Sequence, residues 1–126
     1  MAIARWEAVQ VDCADPVALA AFWAEVIGGT VHDTLGDPPR YVSVEPPVEG
    51  GMWLSFQRVP EPKMVKNRLH LDLLPDDLDA ATERIEAMGG SRTGGEVLEE
   101  FGFRWRVMAD PEGNEFCLVV RADPDA

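Results

Sequence analysis

The chain has 126 residues, with 23 acidic against 11 basic side chains and a formal net charge of -12. That length suits one domain with a real core, and the negative field repels phosphate backbones and anionic membrane surfaces, which argues against nucleic acid and membrane partners. The same field would concentrate a cationic small molecule, although a solvated acidic surface is the commoner meaning of such a charge.

The opening stretch MAIARWEAVQVDCADP has no basic segment followed by an apolar run. No stretch approaches the roughly 20 apolar residues of a membrane span, so a cytoplasmic location is expected. Cys13 and Cys117 each sit inside an apolar strand pattern without CxxC spacing, which favours free buried thiols over a disulfide or a zinc knuckle.

In chain order, AVQVDC alternates as a strand, and the aspartate turn after it leads into PVALAAFWAEVI. Asp15 can cap this helix, Pro16 suits its first position, and Leu19, Phe22, Trp23, Val26 and Ile27 form one apolar stripe. Gly28 and Gly29 stop it. Three extended pieces follow, near 30–35, 40–45 and 52–58, separated by GDPP and PPVEGG. The segment VPEPKMVKNR contains prolines and local basic charge and reads as a linker.

After the linker the same grammar returns about sixty positions later, which marks an internal duplication. Leu69, Leu71 and Leu73 alternate as a strand, Asp76 or Asp77 caps a helix with Leu78, Ala81, Ile85 and Met88 on its inner side, and Gly89 ends it. Glu83, Arg84 and Glu86 form its wet face. Three more extended pieces are expected near 92–98, 102–109 and 115–121, with DPEGN as the last turn. Module one thus covers about 1–58, the linker about 59–67 and module two about 68–126, within a single domain.

Side chains alternate faces on a strand, so the residues out of phase with the helix-packing set must line another surface. That set is Ala8, Gln10 and Asp12; Trp53, Ser55 and Gln57; His70, Asp72 and Leu74; and Glu115, Cys117 and Val119. A mixture of Trp53, Leu74 and Val119 with His70, Gln57 and Glu115 suits a pocket lining better than a wetted sheet. Trp105 shares a parity with Phe103 and Val107, and its face is open on sequence grounds. His32, in a turn-rich region, is expected at the surface.

The duplicated pattern, with DCADPVALAAFW, RLHLDL and ADPEGNEFCLV, resembles the vicinal oxygen chelate superfamily over essentially the whole chain, closest to its glyoxalase-like and bleomycin-resistance-like branch. The resemblance implies an α+β fold in which two tandem βαβββ modules form an eight-stranded, U-shaped sheet around a cleft, as in the glyoxalase, bleomycin resistance and dihydroxybiphenyl dioxygenase fold. It also implies a homodimer. Catalytic members bind a divalent metal through the first, fourth, fifth and last strands. Carried onto this chain, those positions fall on Ala8, near Ser55 or Gln57, on His70 and on Cys117.

Alanine donates nothing and a glutamine carbonyl is a weak donor, so the full metal set of the family is not expected. A shifted set of His70, Glu115 and one of Asp12 or Asp72 would still suit a divalent zinc, nickel, manganese, iron or magnesium ion. His70 therefore keeps three readings: a satisfied structural histidine, a ligand-recognising or general-base residue in a metal-free pocket, and a metal ligand. Cys117 reads as a small buried hydrophobe or a nucleophile.

Two function classes follow. One is a binding protein for a small, cationic and aromatic molecule, with Gln10, Trp53, Ser55, Gln57, Asp72, Cys117 and Trp105 lining the site, His70 and Glu115 being the candidate catalytic residues if the pocket is an active site. The other is a divalent-metal-dependent glyoxalase-type lyase or isomerase, in which the ion polarises vicinal oxygens while a carboxylate moves a proton.

Overall fold

The computed structural model describes residues 2–94 and 96–122. Gly95, inside the extended piece expected over 92–98, and residues 123–126, at the end of the expected second module, lie outside them. The chain divides into two compact units, Met1–Pro62 and Lys63–Ala126. Each is built as strand, helix and strands, which makes the fold α+β with tandem βαβββ modules.

In the first unit, β1 (Ala8–Cys13), α1 (Pro16–Ile27), β2 (Thr30–Leu35), β3 (Tyr41–Glu45) and β4 (Trp53–Arg58) follow in order. Their sheet runs β1-β4-β3-β2. The crossover through α1 makes β1 parallel to β4, while the hairpin-linked strands are antiparallel. Asp15 caps α1 by accepting a hydrogen bond from the Ala18 N–H, and Pro16 stands in the first turn, where its missing N–H costs nothing. Leu19, Phe22 and Trp23 then bury against Val42, Val44, Leu54 and Phe56. At roughly 1.5–3 kcal/mol per fully buried large side chain, this stripe is what fixes the helix to the sheet.

The second unit repeats the plan with β5 (Leu71–Leu73), α2 (Leu78–Ala87), β6 (Ser91–Arg92), β7 (Leu98–Glu100), β8 (Phe103–Ala109) and β9 (Glu115–Arg121). The sheet order β5-β9-β8-β6 matches the first unit position for position, with β5 parallel to β9 and β7 paired outside the path to β8. Asp77 caps α2 through the Ala80 N–H. Leu78, Thr82 and Ile85 face Met108, Phe116 and Leu118. Both Gly-Gly stops work alike: Gly28 and Gly89 take positive φ, and a Cβ on Gly29 or Gly90 would lie 2.5 Å from Glu45 O or Ile85 Cγ2 respectively.

Several expectations need correction. Leu69 does not pack on the helix; it is 86 % exposed, and the strand begins only at Leu71. Continuing the register backward from Leu71 opposite Phe116 would set Leu69 against Asn114, which already belongs to the turn before β9. The strand therefore has no partner there. Among the described residues, the extended piece expected over 92–98 appears as two short strands, β6 and β7. Thr82, unmarked by any apolar pattern, is fully buried, with its hydroxyl donating to Leu78 O and accepting from Arg106 Nη1, each at 2.7 Å. Among the described residues no helix is long and apolar enough to cross a membrane.

Candidate functional site

In the second unit the parallel pairing of β5 with β9 sets Asp72 opposite Cys117, and the antiparallel pairing of β8 with β9 sets Val107 opposite Cys117 and Trp105 opposite Val119. Period-two alternation then turns these side chains to the face away from α2. Trp105 thus belongs to the open face, while its neighbours Arg106 and Met108 are buried on the helix side. A cavity of about 540 Å³ lies on that open face. Lys66, His70, Asp72, Trp105, Glu115 and Cys117 supply its polar and aromatic groups, and Phe103, Val107 and Val119 its apolar wall.

Three side chains in this cavity converge. His70 Nδ1 lies 3.3 Å from Asp72 Oδ1 and 4.0 Å from Cys117 Sγ. One donor atom from each falls within 4.8 Å of the others. His70 and Asp72 are exposed, whereas Cys117 is only 7 % exposed. Burial pushes the Cys117 thiol up from its ordinary value, and the charge and hydrogen bonding of Asp72 push it the same way, against the pull of Lys66. Without a metal ion the group is a neutral thiol, not a ready nucleophile.

Glu115 sits apart from that convergence. Its carboxylate accepts hydrogen bonds from Lys63 Nζ at 2.8 Å and from the Asn67 backbone N–H at 3.3 Å. Burial opposes its ionised form, but these bonds and its own backbone N–H outweigh burial and hold the carboxyl below the ordinary glutamate value. The residue therefore fastens the 63–67 segment to β9 and carries Lys66 to the cavity. The compact donor set is His70, Asp72 and Cys117, where sequence reasoning had paired His70 with Glu115.

The remaining expected site residues lie on the open face of the first sheet. Ala8, Gln10 and Asp12 on β1 stand beside Trp53, Ser55 and Gln57 on β4. Gln57 Nε2 donates to the Tyr41 hydroxyl at 3.1 Å, and Ser43 Oγ donates to Ser55 Oγ at 3.4 Å. His32, expected at the surface, has a side chain 42 % exposed, with its Nε2 3.0 Å from Glu45 Oε1 and its ring centre 6.0 Å from that of Trp53. The alternation of TVH against YVSVE carried that signal, because the β2–β3 hairpin sets His32 opposite Ser43 on the same face.

Two βαβββ units, each with a helix on one sheet face and polar groups on the other, define a tandem-module protein whose chemistry sits on strands. A family model described as a glyoxalase-like domain matches residues 8–119, and the chain belongs to that family, within the vicinal oxygen chelate superfamily. No curated protein matches it.

Among solved structures, it is similar to a glyoxalase/bleomycin resistance protein/dioxygenase family enzyme from Burkholderia phytofirmans PsJN, with 20% identity, 88% of this chain and 94% of that one covered, and a TM-score of 0.69. It is similar to the oxidase ChaP-H2, with 22% identity, 98% of each chain covered and a TM-score of 0.68. It is also similar to a mutant of the fosfomycin resistance protein FosX from Listeria monocytogenes, complexed with Mn(II) and 1S,2S-dihydroxypropylphosphonic acid, with 15% identity, 93% of this chain and 90% of that one covered, and a TM-score of 0.72. At these identities the likeness concerns the fold.

The residues present fit a metal ion only through a donor set of their own. Of the positions that resemblance assigns to the superfamily's metal, Ala8 offers no donor and Cys117 replaces a carboxylate with a thiol. His70, Asp72 and Cys117 would be the ligands. An ion held there would supply Lewis acidity toward an oxygen of a bound molecule.

Proposed function

We propose that the protein binds a small, flat molecule in the cavity of its second unit, without the full metal set of the family's catalytic members. The observation that carries this reading is the cavity itself: about 540 Å³, inside the roughly 300–1,000 Å³ range of small-molecule sites. Trp105 and Phe103 offer ring surfaces, and Asp72 and His70 offer hydrogen-bonding groups beside them. A cationic or hydrogen-bond-donating group on the ligand would meet Asp72, and an acidic one would meet Lys66.

The test is a screen of planar aromatic and heteroaromatic compounds by thermal shift, followed by mass analysis of the compound recovered after long incubation. Saturable stabilisation with the compound returned unchanged supports the reading. Chemical conversion of the compound would overturn it. Pairing into a homodimer is part of the same proposal, and sedimentation as a monomer at working concentration would remove that part.

A second reading, a divalent-metal-dependent glyoxalase-type lyase or isomerase, is favoured by the convergence of His70, Asp72 and Cys117. The Mn(II) named for the FosX structure fits the same idea. Metal-dependent turnover of a substrate with neighbouring oxygens would choose this reading over the first.

A further inference from the structure

We propose that His70, Asp72 and Cys117 form a site for a thiophilic divalent ion of the zinc or cobalt(II) type, built wholly within the second unit. The site rests on the same ion and the same three ligands as the metal-enzyme reading, and it stands whether or not turnover follows. Its donors are not the superfamily's set, because Asp72 joins from β5 and a thiol stands where a carboxylate is expected.

Backbone register carries the first part of the argument. Asp72 and Cys117 are direct partners across the parallel β5–β9 pair, and His70 precedes Asp72 by two positions. Strand pairing thus sets oxygen and sulfur side by side, and His70, just before β5, brings its nitrogen to within 3.3 Å of the Asp72 carboxylate.

Distances carry the second part. With zinc bonds of about 2.0–2.1 Å to nitrogen and oxygen and about 2.3 Å to sulfur, tetrahedral angles require about 3.3 Å between nitrogen and oxygen and about 3.6 Å between nitrogen and sulfur. The structure shows 3.3 Å from His70 Nδ1 to Asp72 Oδ1 and 4.0 Å from the same nitrogen to Cys117 Sγ. Closing the nitrogen–sulfur edge asks that the sulfur approach by about 0.4 Å on that tetrahedral estimate, and the oxygen–sulfur edge, which lies within 4.8 Å, must close to about 3.6 Å as well. Right-angled octahedral coordination would need about 2.9 Å between nitrogen and oxygen, a poorer match.

Donor chemistry carries the third. A thiolate and an imidazole favour borderline ions, whereas magnesium and manganese prefer oxygen ligands, and one carboxylate does not satisfy them. Binding forms the metal–sulfur bond as the Cys117 proton leaves to solvent. Three protein donors leave a fourth position toward the cavity, the arrangement of an open site rather than a closed structural one.

The experiment is a cobalt(II) titration of reduced, tag-free protein followed by absorption, with zinc competition, on the wild type, Cys117→Ser, Asp72→Asn and His32→Ala. The expected result is one cobalt per chain with d–d bands of tetrahedral strength and a thiolate-to-cobalt charge-transfer band. Cys117→Ser should lose that band. Asp72→Asn should weaken zinc at least about tenfold, the smallest loss typical even of outer-shell changes. His32→Ala should change nothing.

Because a variant can fail to fold, alkylation of Cys117 in the wild type, read by peptide mass analysis with and without zinc, gives a variant-free readout. Zinc should protect the thiol. No stoichiometric cobalt, a band retained in Cys117→Ser, or an unprotected thiol would each overturn the site. None of these readouts depends on a small-molecule ligand or on activity: their failure would leave the metal-free binding reading standing, and absence of turnover with cobalt bound would remove the enzymatic reading while leaving the site.

Discussion

Asp110→Ala tests the hairpin that sets the cavity. Asp110, 3 % exposed, stands at the end of β8, and its carboxylate accepts from the backbone N–H of Glu112 at 2.9 Å and of Asn114 at 3.0 Å. The Asn114 side-chain amide donates to its second oxygen at 3.0 Å. Hydrogen bonds to a charged acceptor contribute about 1.5–3 kcal/mol each. All three donors are half-buried and regain water when the carboxylate goes, so a net loss of about 3 kcal/mol is expected rather than the full sum.

For a chain of this length that corresponds to a fall in Tm of about 10 °C. In urea the midpoint should drop with an unchanged m value. Asp110→Asn keeps an acceptor for the backbone N–H groups and should lose less than half as much. An Asp110→Ala variant within about 0.5 kcal/mol of wild type, the range of an ordinary surface change, would mean that the turn does not rely on this carboxylate. The register that sets Val107 against Cys117 would then have another source.

Three further predictions follow from the same geometry. Thr82→Val strips the partner at 2.7 Å from the buried Arg106, leaving its Nη1 with Asp79 at 3.4 Å among the described residues; denaturant unfolding should show a loss of about 2 kcal/mol. Glu115→Gln should loosen the 63–67 segment, read as faster amide exchange at Asn67. Since the folded Glu115 carboxyl lies below its ordinary value, its contribution is present above the unfolded value and is lost as pH falls through the folded one; the stability gap between wild type and variant should narrow across that acid window. Leu69→Ser should leave Tm unchanged, because Leu69 is solvated; a loss above about 1 kcal/mol would restore it to the core.

Much of the fold was legible because its signals are local. Asp15, Pro16 and Asp77 announce helix starts by capping chemistry, and the Gly-Gly pairs announce their ends. Strand parity correctly separated Cys117 and Glu115 from Phe116 and Leu118, since pairing with α2 on one side leaves one outward face. Parity could not say where a strand begins: Leu69 continues the alternation of Leu71 and Leu73 but meets a turn instead of a partner. It could not place Trp105, because Phe103, Trp105 and Val107 are apolar on the face that turns away from the helix, while Arg106 lies beneath it. Nor could it join Asp72 to Cys117, which depends on which strands pair and in what register.

The central claim is that the open face of the second sheet holds the ligand. The direct measurement is a nitrogen-15 correlation spectrum of the protein titrated with a compound that stabilises it. The account predicts that the Trp105 indole N–H and the Val107 and Val119 amides shift together and saturate with one affinity, and that Trp105→Ala abolishes binding while keeping the fold. Saturable binding that leaves those three resonances unmoved would contradict it.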